Sequence, residues 1–330
     1  MSENATEKPK LLLRLLEGSF LALFHTTRYL SKILPPPYLH RLVALIGDFF
    51  FYARPGMRRR LEAKISDALP EITDPRELAR IGRQVCGCIF MPMVDIFTLA
   101  RHSDRFMREL QVENEEYLAE AEALGKGVIF ASAHIGAITI IHAVMVRYGK
   151  LYTPITFPAE DTPLPRYVET LQFYGGSLGC DTEEPVFWAG EEDIIPRIQE
   201  HLAERKNLGL TFDVPGNTIV EFFGRPAAMA GGMGHFAYDT GAPILPFYLL
   251  RGKSGLDNRL IFDEPIIANT DADRKTEVKA VMREVMKAGE RMIKRAPEQW
   301  MSWFGMWQWW DRAEELKKEK AQPIPKTKTE

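Results

Sequence analysis

Seven histidines occur, at positions 25, 40, 102, 134, 142, 201 and 235. Only His134 follows directly on a strongly apolar run and precedes a glycine, in Ala131-Ser132-Ala133-His134-Ile135-Gly136. A histidine at the C-terminal edge of a strand can point into a cleft and act as a general base near neutral pH. A satisfied structural histidine is the competing reading, and it is the better one for the other six, most of which fall on amphipathic helical runs. Gly175-Gly176-Ser177-Leu178-Gly179 matches the G-x-S-x-G turn of serine hydrolases, which needs a strand before it and a helix after it. Here a helical run precedes the motif and Cys180-Asp181-Thr182-Glu183-Glu184-Pro185 follows it, so Ser177 is a poor nucleophile. The sequence has no Walker motif, no G-x-G-x-x-G between a strand and a helix, no H-E-x-x-H and no EF-hand pattern. Cys86, Cys88 and Cys180 form neither a C-x-x-C pair nor a Cys/His cluster, and read as small buried hydrophobes; no metal site is expected.

The elements that must position such a histidine follow from the pattern around it. Strand-like runs at 128–131, 151–157, 208–212, 219–223, 244–250 and 260–263 alternate with helical runs at 135–148, 163–174, 191–206, 234–240 and 276–294. That alternation predicts an α/β fold with a largely parallel central sheet flanked by helices, and chemistry collected where strands end, just after residues 133, 157 and 212. No repeat of 20–50 residues is present.

The 330 residues carry a net charge of −3, which gives no reason to expect nucleic acid as a partner. Residues 1–70, however, hold eleven Lys/Arg against six Asp/Glu. The apolar stretch 11–34 is broken by Arg14, Glu17, His25, Arg28 and Lys32, so it fails as a spanning helix and suits one lying in a membrane interface. Pro35-Pro36-Pro37 stops it, and a second amphipathic stretch, 38–52, leads to Arg54 and Arg58-Arg59-Arg60. No cleaved signal is read at the N-terminus. Trp300, Trp303, Trp307 and Trp310 follow i, i+3, i+7, i+10 spacing and would form one interfacial face of a helix; a Trp-rich core helix is the alternative. The expected organisation is a basic, membrane-associating helical region at 1–70, an α/β domain at 71–310 and a disordered polar tail at 311–330.

His134-Ile135-Gly136-Ala137-Ile138-Thr139 resembles the first block of the lysophospholipid acyltransferase superfamily, a histidine followed after four residues by Asp or Glu. In order along the chain, Asp213-Val214-Pro215-Gly216 resembles that superfamily's strand-end Asp and glycine. Phe222-Phe223-Gly224-Arg225-Pro226-Ala227, Thr240-Gly241-Ala242-Pro243-Ile244-Leu245-Pro246 and Pro297-Glu298-Gln299-Trp300 resemble three blocks of its bacterial lipid A late acyltransferase branch.

The resemblance implies a glycerolipid acyltransferase-like fold that moves a fatty acyl group from an acyl carrier protein (ACP) or coenzyme A (CoA) thioester to a hydroxyl of a membrane lipid or glycolipid. His134 would be the general base, and no cofactor beyond that acyl-ACP or acyl-CoA co-substrate would be needed. It further implies a monomer at the cytoplasmic face of a bacterial inner membrane, with the lipid surface as a partner. Backbone N–H groups near Gly136 are expected to stabilise the oxyanion, and Arg225 and Arg166 to meet a phosphate. Thr139 occupies the acidic position; its hydroxyl can accept a hydrogen bond from the imidazole but cannot offset an imidazolium charge. Asp213 is the first substitute carboxylate, with Glu160 and Asp161 next. The loss of the acid also keeps two other readings open: a lipid- or acyl-binding protein without catalysis, and acyl transfer to a non-lipid acceptor.

Overall fold

The computed structural model describes residues 3–162, 164–178 and 186–321. Cys180, Gly179 of the serine motif and positions 322–330 of the expected tail lie outside the described residues. Five helices come first: α1 (Glu3–Leu30), α2 (Pro36–Ala53), α3 (Pro55–Ala68), α4 (Pro75–Cys88) and α5 (Met91–Glu109). Next are β1 (Gln111–Glu113), α6 (Glu115–Ala123), β2 (Ile129–Ser132), α7 (Ile138–Arg147), β3 (Thr153–Thr156), α8 (Pro165–Ser177) and β4 (Phe187–Trp188). The chain continues with α9 (Ile194–Ala203), β5 (Leu208–Thr211), β6 (Pro215–Phe222), β7 (Arg225–Met229), α10 (Gly232–Thr240) and β8 (Ile244–Leu250). It closes with β9 (Arg259–Phe262), α11 (Arg274–Arg295), short 3-10 turns at Pro297–Gln299 and Met301–Phe304, and α12 (Trp307–Ala321).

Local chemistry sets several ends. Asp74 and Asp273 cap α4 and α11 by accepting from Arg76 N and Lys275 N, and Lys294 and Arg295 complement the C-terminal dipole of α11. Gly241, at φ 65°, closes α10 in the left-handed conformation.

Seven strands form one sheet in the order β1-β9-β8-β2-β5-β3-β4, parallel throughout except for β8 against β9. The expected strand at 219–223 falls, but for Phe223, in β6, which pairs with β7 in a separate antiparallel hairpin.

The period-two alternation of strand side chains builds a core on each face of the sheet. Ile129, Ala131, Ile244, Tyr248 and Ile261 face α3, α4, α9, α10, α11 and the hairpin. Phe130, Leu245, Phe247, Leu249 and Phe262 face α1, α2 and α5 to α8. Each large apolar side chain so buried contributes roughly 1.5–3 kcal/mol by leaving water.

Residues 1–70 do not stand apart. Phe24, Leu39, Val43, Phe51, Leu61 and Ile65 are buried in these two cores. Helices α2 and α4 cross so closely that a Cβ on Gly47 would come within 2.4 Å of Gly87 Cα. The opposite face of α2 is bare: Tyr38, Leu42, Leu45, Phe49 and Tyr52 are all exposed. Among the described residues no single helix is long and apolar enough to cross a membrane.

Two expectations fail at the C-terminal end. Trp300, Trp303, Trp309 and Trp310 are buried in the core instead of forming an interfacial face. The 3-10 turn Met301–Phe304 and the separate start of α12 at Trp307 break the expected helix, so the i, i+3, i+7, i+10 count does not describe one face. The tail expected to be disordered from 311 continues α12 to Ala321, because Ala313 and Leu316 bury against Ala228 of β7. Its charged residues pair along the helix, Arg312 with Glu315 and Glu319, and Lys317 with Glu314.

Candidate active site

Strands β2 and β5 are parallel neighbours in register, with Ser132 opposite Thr211. Two residues beyond that pair, on the same edge of the sheet, stand His134 and Asp213. The His134 Nδ1 to Asp213 Oδ1 distance is 2.8 Å. The His134 backbone N–H also donates to this carboxylate, 3.1 Å from Oδ1 and 2.9 Å from Oδ2. Trp300 Nε1 donates to Oδ2 at 2.8 Å, and Ser302 Oγ donates to the same oxygen at 2.9 Å. The Asp213 side chain is wholly buried, whereas that of His134 is 41% exposed.

A carboxylate that only accepts fixes Nδ1 as the protonated ring nitrogen and leaves Nε2 as the basic one. Burial, the largest single influence on the ring, works against an imidazolium. The charge of Asp213 and its hydrogen bond together outweigh burial, so His134 titrates above the ordinary histidine value.

The segment after α11 holds this pair in place. Met301 N–H donates to His134 O at 2.8 Å, Gly136 N–H donates to Gln299 O at 3.1 Å, and Ile135 bridges Trp300. The Gln299 side chain clamps the Arg251 backbone at the end of β8, accepting from its N–H (2.9 Å) and donating to its O (3.0 Å). Arg251 in turn places Nε 2.8 Å and Nη2 2.6 Å from Asp95 Oδ2 of α5, with both side chains buried.

Of the residues expected from sequence, the structure brings together His134 and Asp213 and leaves the others apart. Thr139 sits in the first turn of α7 with its Oγ1 buried and unbonded, and makes no hydrogen bond to His134. Five residues along the chain lead through a glycine turn into a helix, whereas the neighbouring parallel strand delivers its end directly beside the histidine. Glu160 and Asp161 are exposed in a short turn after β3 and do not reach the pair.

Gly136 is not an oxyanion donor: its N–H, like those of Ile135 and Ala137, is already bonded to a backbone carbonyl. Its φ of 60° and the 2.0 Å that would separate an added Cβ from Leu249 O identify it as a close-packing glycine. Arg225 is exposed beyond the β6–β7 turn, its guanidinium 4.0 Å from the centroid of the Trp310 ring, and does not contact the pair. Arg166 is exposed on α8; its backbone N–H donates to Glu17 Oε1 at 2.7 Å and its backbone carbonyl accepts from Thr170 Oγ1 at 2.6 Å. Ser177 ends a helix and donates to Tyr174 O, so the strand-to-helix context of a nucleophile turn is missing.

Trp300, Ser302, Gln299, Asp95 and Arg251 escaped the sequence reading. Only the Pro297-Glu298-Gln299-Trp300 block drew attention to that segment, and there the tryptophan was read for its apolar face rather than its N–H donor.

Cys86 and Cys88 are buried free thiols, and burial, as the largest influence, pushes each up to about 11. They are inert packing residues.

The pair places a solvent-reaching imidazole on a buried carboxylate at the C-terminal edge of a mainly parallel sheet, the edge where sites of α/β proteins collect. The family model for bacterial lipid A biosynthesis acyltransferases matches residues 9–171 and 213–308, most of the chain, and the protein belongs to that family. The second matched segment begins at Asp213. No curated protein matches the chain.

Proposed function

We propose that this protein transfers a fatty acyl group from an acyl-ACP or acyl-CoA thioester to a hydroxyl of a membrane lipid or glycolipid, with His134 as general base. The contact between His134 and Asp213 carries the reading. Nε2 takes the proton of the acceptor hydroxyl as its oxygen attacks the thioester carbonyl. Nδ1–H stays on Asp213, whose charge offsets the imidazolium. Collapse of the tetrahedral adduct expels the thiolate, which recovers the proton from Nε2 and leaves as the thiol. The first two N–H groups of α7, those of Ile138 and Thr139, replace Gly136 as the proposed source of oxyanion stabilisation. The non-catalytic reading rested on the missing acid at position 139; an acid at Asp213 favours catalysis instead.

The pH dependence follows from the sign of the His134 shift. A base works only when deprotonated, so kcat/KM should rise with pH through a midpoint above the ordinary histidine value. Acyl transfer from a thioester to extracted membrane lipid, followed across pH, tests this. An acid limb below that value, or no transfer to any lipid acceptor, contradicts the reading.

The proposed site of membrane contact, at the cytoplasmic face of the inner membrane, is the outer face of α2. Tyr38, Leu42, Leu45, Phe49 and Tyr52 follow i, i+4, i+7, i+11, i+14 spacing, with Tyr29 and Ile33 exposed just before them. Arg41 and Arg54 flank this stripe and suit anionic headgroups. In flotation assays the protein should rise with vesicles containing anionic phospholipid. Replacing Leu45 and Phe49 with Asp should cut the floated fraction by at least about tenfold, because each buried side chain accounts for roughly 1.5–3 kcal/mol. Equal flotation of the variant would exclude this face.

A further inference from the structure

Asp213 is held more elaborately than a simple partner of His134 requires. Its Oδ1 faces His134 Nδ1, while Oδ2 receives Trp300 Nε1 and Ser302 Oγ from the chain beyond α11. These two donors are themselves fixed. Met301, which lies between them, donates its N–H to His134 O. The Trp300 ring packs 4.7 Å from Trp303 and 6.1 Å from Phe222, centroid to centroid, and is fully buried. The terminal torsion of an aspartate is broad, so nothing intrinsic to the side chain would keep Oδ1 on the line to the imidazole.

We propose that Trp300 and Ser302 are positioning residues of the acyl-transfer site. They lock the rotation of the Asp213 carboxylate so that it holds the Nδ1–H tautomer of His134 and leaves Nε2 free to take the acceptor's proton. The inference rests on the acyl-transfer reading above.

Among the described residues, Asp213 is the charged group whose field acts on His134. Burial pulls the imidazole down and only this carboxylate pulls it up. A carboxylate freed to rotate weakens both its hydrogen bond and its charge contact, while the burial remains. Loss of a pin therefore predicts a fall in the His134 midpoint, a signature that mere loss of packing would not produce. Hydrogen bonds to charged groups are individually strong, so each pin matters separately.

The test compares Ser302→Ala, Ser302→Thr and Trp300→Phe in the full chain. The His134 ring is titrated by NMR, with its resonance assigned by its absence in His134→Gln, and acyl transfer is measured in parallel. Ser302→Ala should lower the His134 midpoint and cut kcat by about three- to tenfold, with KM changed by less than about twofold; the factor is smaller than the full worth of a hydrogen bond to a charge because Trp300 Nε1 and the His134 backbone N–H still hold Oδ2. Ser302→Thr, which keeps the donor, should restore both. Where Ser302→Ala does not fold, Trp300→Phe carries the same comparison. An unchanged or raised midpoint in the folded variants overturns the positioning role. If the unaltered protein transfers no acyl group, the functional reading falls, and the NMR midpoint still decides whether the pins act on the pair.

Discussion

Replacing Asp213 with Asn is expected to lower kcat for acyl transfer by about 10³–10⁴, with little change in KM for the thioester. The same exchange in a serine-protease triad costs about 10⁴, or roughly 5.5 kcal/mol of barrier. The physical reason carries over. An amide cannot offset the imidazolium charge, and its NH₂ favours the tautomer in which Nδ1 accepts and Nε2 carries the proton. Here the exchange also mismatches Trp300 Nε1 and Ser302 Oγ, which both donate to Oδ2. Steady-state kinetics with one thioester and one lipid acceptor measure it. A loss below about tenfold would mean that the contact with His134 is structural rather than catalytic.

Replacing Asp95 with Ala should destabilise the fold by about 3–5 kcal/mol, because it strands the Arg251 guanidinium in the core without its counter-charge. Both side chains are 6% exposed or less. Replacing the pair together, with Asp95→Leu and Arg251→Met, should recover much of that loss, since an apolar pair of similar volume carries no desolvation cost. Denaturant midpoints at constant m report the difference. A single-variant cost under about 1 kcal/mol contradicts the assignment. The consequence reaches the site, because Arg251 is the residue whose backbone Gln299 clamps, and Gln299 O receives Gly136 N–H.

How far these features could be read from the sequence depended on whether their causes are local. Strand β8 coincides with the apolar run 244–250, and β2 and β5 lie within one residue of the expected bounds. Each is a buried strand of the central sheet flanked by glycine, histidine, aspartate or proline on at least one side, which is the pattern that composition makes plain. Strand β4, two residues long, and the three residues of β1 hold their place by pairing with β3 and β9 and have no periodicity to read.

His134 was visible because a strand end marks itself. Asp213 was visible only as one candidate among three, since Asp-Val-Pro-Gly also reads as a turn. What separated it from Glu160 and Asp161 was strand order, the one fact that decides which strand ends lie side by side. Thr139 misled because spacing along the chain was taken for proximity in space. The tryptophans mislead for a related reason: a helical count from Trp300 to Trp310 runs across the 3-10 turn Met301–Phe304, and α12 begins only at Trp307. In the tail, the Lys and Glu residues hid the two apolar positions, Ala313 and Leu316, that attach α12 to β7.

The central claim is that the exposed imidazole of His134 performs the proton transfer. Acyl transfer from a thioester to membrane lipid by His134→Ala, purified in parallel with the unaltered protein and matched to it by circular dichroism and thermal midpoint, tests this most directly. Turnover should fall to the uncatalysed background while the fold is retained, because the side chain is 41% exposed and its removal leaves no buried cavity. Turnover within about tenfold of the unaltered protein would contradict the account, since loss of a general base alone is expected to cost about 10²–10⁴.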